Sequence, residues 1–225
     1  MSKTEHILTV SGGHGAGRLA PPLGVTRLAG GLSAAVIGNT WFGPRPHLET
    51  LQPVANENAD AGGIAYPEHL QLIPYTLFRY NGQYLRYLRT TTGGDERLHG
   101  KISVGIGGHV GLQDAVIAAD GSIDVKATLD KAFRRETREE IALELSKDGP
   151  QWHATLYWNA TEVDSVHFGI VGIYDLTDDE HQQIVANHEV GDIRFATLEN
   201  IADEAVDGVT LENWTRLVIE ASPLT

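Results

Sequence analysis

Arg135-Glu136-Thr137-Arg138-Glu139-Glu140-Ile141-Ala142-Leu143 sets three carboxylates, Glu136, Glu139 and Glu140, at i, i+3 and i+4, the spacing that stacks side chains on one face of an α-helix. On a solvated face, like charges so spaced repel by only about 0.2–0.5 kcal/mol per pair, and Arg134, Arg135 and Arg138 would lace them into an ordinary surface. Turned into a cleft, two such charges about 5 Å apart at an effective dielectric near 20 repel by about 3 kcal/mol. That face then requires a proton or a divalent cation. A hard ion, magnesium or manganese, suits such oxygen ligands.

The spacing predicts a helix from Asp124 or Thr128 to about Leu145, with Val125, Leu129, Ala132, Phe133 and Ile141 as the inward stripe. Upstream, Leu72 to Tyr80 and Gln83 to Arg89 are apolar, aromatic-rich runs separated by Asn81-Gly82, a hairpin signal. Tyr75, Phe78, Tyr80, Tyr84 and Tyr87 are expected to build its sheet faces. A short strand at Ile102 to Ile106 leads into Gly107-Gly108, where the backbone turns sharply or passes close to another group. Gly111 to Asp124 is expected to be loop.

Downstream, strands are expected at Trp152 to Trp158, Ser165 to Leu176 and Asp192 to Ala196. Helices are expected at Asp178 to Asn187, Leu198 to Val206 and Leu211 to Glu220. The order of elements predicts an α/β (α+β) fold, a mixed β-sheet sandwiched between α-helices. Residues 1–40 carry Gly12-Gly13, Gly15, Gly17, Pro21-Pro22 and Gly30-Gly31, and are expected to form a loosely held extension ahead of a single domain over 41–225. Gly12 to Gly17 lacks the Lys-Ser or Lys-Thr that a phosphate loop requires. Pro44 to Glu68 shows little periodicity.

The 225 residues carry a formal net charge of −13, which argues against nucleic acid or an acidic membrane as partner. There is no cysteine, so disulfides, thiol catalysis and zinc-thiolate sites are excluded. No apolar run reaches the roughly 18–20 residues of a membrane helix, and the first residues lack a secretory core. A cytoplasmic protein is expected. As an oligomer, a homodimer is the expected form.

The residues around the helix resemble the Nudix hydrolase box, G-x5-E-x7-R-E-U-x-E-E-x-G-U, where U is a bulky aliphatic. Arg135-Glu136 matches the Arg-Glu pair, Glu139-Glu140 the Glu-Glu pair and Leu143 the final aliphatic, while Thr137 replaces the first aliphatic and Ala142 the glycine. Strict spacing places Gly121 at the box glycine but Ala127 at the early glutamate, for which Asp114 and Asp124 are the alternatives. Gly107-Gly108-His109-Val110 is similar to the family's glycine turn, with an insertion from Gly111 to about Ile123. The resemblance spans roughly Ile73 to Leu217.

What the resemblance implies is a hydrolase in which water attacks a diphosphate linked to another group, with Mg2+ or Mn2+ as cofactor. Glu136, Glu139 and Glu140 would hold the metal, with Glu189 as an added ligand from outside the box. Arg135 would fix the helix geometry by pairing with a carboxylate. Gly107, Gly108, His109 and His167 would meet a small, nucleotide-like diphosphate substrate, each histidine as hydrogen-bond donor or as acid or base near neutrality. An isomerase variant of the family would need a cysteine, which is absent. The rival reading is a Nudix-fold ligand-sensing or protein-binding module that has lost turnover.

Overall fold

The computed structural model describes residues 5–29, 31–32, 40–45, 66–92, 96–186, 190–204, 210–222 and 224. Among them, the chain forms β1 (His6–Ser11), β2 (Gly24–Arg27), β3 (Thr40–Pro44), β4 (His69–Tyr80), β5 (Gln83–Arg89), β6 (Lys101–Ser103) and β7 (Gly105–Gly107). Then follow α1 (Val125–Ile141), β8 (Gln151–Tyr157), α2 (Glu162–Val166), β9 (His167–Asp175), α3 (Asp178–Gln183), β10 (Val190–Ala196), α4 (Leu198–Glu204), β11 (Thr210–Leu211) and α5 (Asn213–Glu220). The pairing of β11 with β6 is parallel and that of β5 with β6 antiparallel, so the sheet is mixed, as expected.

These elements are distributed over two compact units, residues 1–74, 109–132 and 154–170 in the first and residues 75–108, 133–153 and 171–225 in the second. Strands β4, β8 and β9 and helix α1 each pass from one unit to the other part-way along.

In the first unit, β1 lies between β3 and the start of β4, with Leu8 opposite Phe42 and Thr9 opposite Gln71. β2 pairs with the end of β8. The Gly/Pro density around β1 predicts loop, yet Ile7, Leu8 and Val10 are fully buried. Alternation in His6-Ile7-Leu8-Thr9-Val10-Ser11 is too short and too poor to outweigh the breakers beside it, and pairing on both edges is what holds it as strand. The loop expected over Gly111 to Asp124 contains a 3-10 turn, Leu112–Asp114. Asp124 then starts α1, its Oδ1 accepting from the Ala127 amide at 3.0 Å, an N-cap bond.

In the second unit, β4 and β5 form the hairpin that Asn81-Gly82 predicts. Asn81 has φ 49° and Gly82 φ 77°, the left-handed pair of a turn whose twist matches the strands it joins. The strand expected over Ile102 to Ile106 is two, β6 and β7, interrupted at Val104, whose amide is taken by Thr215 Oγ1 at 3.2 Å. Phe78, Phe133 and Tyr174 pack as an aromatic triad with ring centres 5.6–5.7 Å apart, around which Leu85, Ile106, Ile141, Leu143 and Val190 complete the core. Helix α1 stops at Ile141, short of the expected Leu145, because Ala142 turns into the left-handed region at φ 53°.

Further along, the expected Ser165 to Leu176 strand begins only at His167. Thr161 caps α2, accepting from the Asp164 amide at 3.1 Å, and holds 162–166 as a helical turn. The irregular stretch 46–65, the Glu189 candidate and the end of the helix expected at Val206 lie outside the described residues.

Candidate functional site

The acidic face of α1 meets the glycine turn within the second unit. A Cβ on Gly108 would stand 2.4–2.6 Å from the carboxyl carbon and both oxygens of Glu136. With glycine there, the end of the Glu136 side chain lies directly over the backbone, where a Cβ would push it aside. Position 108, singled out in the sequence as a place of close approach, and position 136, singled out as a cation ligand, are therefore in direct contact.

Arg135 joins two of the three carboxylates. Its Nη1 donates to Glu136 Oε1 at 2.7 Å and to Glu139 Oε2 at 3.0 Å. The Glu136 side chain is 13% exposed and that of Glu139 58%. The first therefore carries most of the desolvation, and the exposed second is the weaker half of the pair.

Glu140, one helical turn beyond Glu136, is buried at 7% exposure. There it acts electrostatically on Tyr87 and Arg89, together with Glu212. Burial alone disfavours the Arg89 cation, but the fields of Tyr87, Glu212 and Glu140 outweigh it and raise its pKa above the ordinary arginine value. Arg89 Nε and Glu212 Oε2 stand 3.8 Å apart, beyond a hydrogen bond. The structure thus joins Glu136 and Glu139 through Arg135 and buries Glu140 within electrostatic reach of Tyr87 and Arg89. Among the described residues, no three His, Asp or Glu side chains converge in a set that holds a metal.

The donor chemistry still suits a hard divalent ion. Glu136 rests in a cradle that a Cβ on Gly108 would fill, and carboxylate oxygens are the ligands magnesium and manganese prefer.

In the first unit, His109 and His167 meet each other. His109 Nε2 lies 2.8 Å from Gln71 Oε1 and 3.2 Å from His167 Nε2. His167 Nδ1 lies 2.6 Å from the Val163 carbonyl, so it carries the proton and leaves Nε2 as the acceptor. His109 Nε2–H then donates to Gln71 and His167 together. The partner the sequence reading missed is Gln71, 1% exposed. Its signal was there to find, a lone amide inside the apolar run Leu70-Gln71-Leu72-Ile73, since a buried amide has to be hydrogen-bonded. Arg89 and Glu212, each at the border of an apolar segment, gave no comparable signal.

No family model matches the chain. Over 157 residues it is 26% identical to protein YmaB of Bacillus subtilis, a match covering 68% of this chain and 71% of that one. It is 28% identical over 107 residues to mitochondrial dimethylglycine dehydrogenase of Rattus norvegicus, covering 45% of this chain and only 12% of the enzyme. The structure superposes on the crystal structure of Tm1382, a Nudix hydrolase candidate, with TM-score 0.62 at 20% identity over 96% of this chain and 97% of that one. The chain has the Nudix fold.

The end of α1 resembles the Nudix box. Where its pattern has glycine, this chain has Ala142 in the left-handed region, a conformation that glycine adopts without strain and alanine does not. The backbone keeps the turn although the residue has changed. No described helix is long and apolar enough to cross a membrane.

Proposed function

We propose that this chain is a metal-dependent hydrolase that cleaves the diphosphate linkage of a nucleoside diphosphate derivative or a related compound. The observation that carries the reading is the seating of the Glu136 carboxylate over the bare backbone of Gly108, which unites the glycine turn with the acidic helix. Water attacks one phosphorus and a phosphoanhydride P–O bond breaks. The water oxygen stays on the attacked phosphorus, and the leaving phosphate keeps the bridging oxygen.

Glu136, Glu139 and Glu140 would hold Mg2+ or Mn2+, with Glu189 as the further ligand proposed on the sequence. The ion, when bound, neutralises phosphate oxygens and acidifies the attacking water. Gly107 and Gly108 offer backbone to the diphosphate, and Arg135 sets the relative placement of Glu136 and Glu139 through its two hydrogen bonds.

The test is product release from a panel of nucleoside diphosphate derivatives with magnesium or manganese, comparing the parent chain with Glu139→Gln and Glu140→Gln. Activity that falls by at least about 100-fold in each variant supports the reading, as expected when a group that stabilises the transition state is lost. Equal turnover in all three overturns it. Tight binding of a diphosphate compound with no turnover in the parent chain replaces it by the ligand-sensing reading.

A further inference from the structure

We propose that Gln71, His109 and His167 form a binding site for a divalent transition metal of the zinc class. The proposal does not depend on the hydrolase reading. His109 Nε2 lies within hydrogen-bond distance of two further candidate donor atoms, His167 Nε2 and Gln71 Oε1. The two nitrogens are 3.2 Å apart. Two nitrogens each bound to a tetrahedral zinc at about 2.0–2.1 Å stand about 3.3 Å apart, so the histidines already span one edge of such a site. The Gln71 to His109 edge is 2.8 Å, a hydrogen bond at present, and opens by about half an ångström on coordination.

The surroundings hold the ligands in place from three separate elements. Gln71 is fixed on β4 opposite Thr9 of β1 and is buried. His109 is followed by Val110, whose carbonyl accepts from the Leu8 amide at 2.8 Å. His167 is anchored through Nδ1 on the Val163 carbonyl, the outer contact that orients a metal-binding imidazole and sets its tautomer. His167 is thus already in the ligating form. His109 has only to carry its proton on Nδ1 instead of Nε2, with no proton lost. Imidazole ligands favour zinc over magnesium, so the two centres select different ions. With three protein ligands, the fourth position is left for water or an anionic oxygen.

The test uses full-length protein stripped of metal with a chelator and titrated with Co2+, then with Zn2+. Visible absorption of a four-coordinate Co2+ ion at one ion per chain is expected, displaced by Zn2+. His109→Ala and His167→Ala should each weaken Zn2+ binding by more than about 100-fold, beyond what loss of an outer partner costs. The double variant Glu136→Gln/Glu139→Gln should bind as the parent does. No Co2+ spectrum in the parent, unchanged affinity in the histidine variants, or loss in the carboxylate variant overturns the proposal. If circular dichroism shows a histidine variant unfolded, X-ray absorption of the Zn2+-loaded parent decides, since absence of imidazole scattering also overturns it.

Discussion

A methyl group at position 142 burdens the fold where a hydrogen would not. Ala142 sits at φ 53°, where an L side chain crowds the following carbonyl by about 1–2 kcal/mol, part of which is returned because alanine restricts the unfolded chain. Ala142→Gly should therefore stabilise the protein by about 0.5–1 kcal/mol, about 1–4 °C in Tm for a chain of this size, read by calorimetry. Ala142→Val should move Tm the other way. The residues of the candidate site were legible to different degrees. Glu136 and Gly108 stood out because close approach and charge spacing are both written in residue type. The burial of Glu140 was not legible, because the groups that share its field, Tyr87 and Arg89, lie more than fifty positions earlier in the chain.

Single side chains fasten whole elements. Glu180, 2% exposed, accepts from the Ser146 and Thr177 amides, the Ser146 and Thr177 hydroxyls and the Tyr174 hydroxyl, and so closes the capping box of α3. Burial by itself would push its pKa up, but these donors outweigh it and hold it at about 2, against 4.5 unperturbed. With the folded value below the unfolded one, the stabilisation is complete above about pH 4.5 and disappears as pH falls towards 2. Glu180→Gln should cost about 2–3 kcal/mol at pH 7, and its urea midpoint should converge on the parent's near pH 2.

Arg86 does similar work for α4. Its side chain is 3% exposed, and it forks onto both oxygens of Glu204 at 3.1 and 2.7 Å while reaching Asp192 Oδ2 at 2.8 Å. Arg86→Met leaves Asp192 and Glu204, 43% and 27% exposed, without their shared cation and should destabilise by about 1–3 kcal/mol, measured by denaturant unfolding. At this scale the hairpin and the long helix could be read from turn chemistry and periodicity. β1 could not, since its evidence is partner strands remote in sequence. The split of β6 from β7 likewise depends on Thr215, over a hundred residues later.

Across the whole molecule, a formal charge of −13 means that the folded state repels itself at low ionic strength. Tm should rise by a few degrees, about 2–5 °C, as sodium chloride goes from about 10 to 150 mM, where the screening length falls to about 8 Å. Magnesium chloride at matched ionic strength should raise it further if the acidic helix takes up the ion, a difference that scanning calorimetry resolves. The fold class was legible from the order of elements. The division into two units was not, because neither follows a continuous stretch of sequence.

That interleaving limits how the protein can be dissected or rebuilt. Because each unit is stitched from three separate stretches, with β4, β8, β9 and α1 crossing between them, no single cut in the gene liberates either half intact. A chimera made at one crossover point would inherit severed strands, so partners for recombination must share the complete weave.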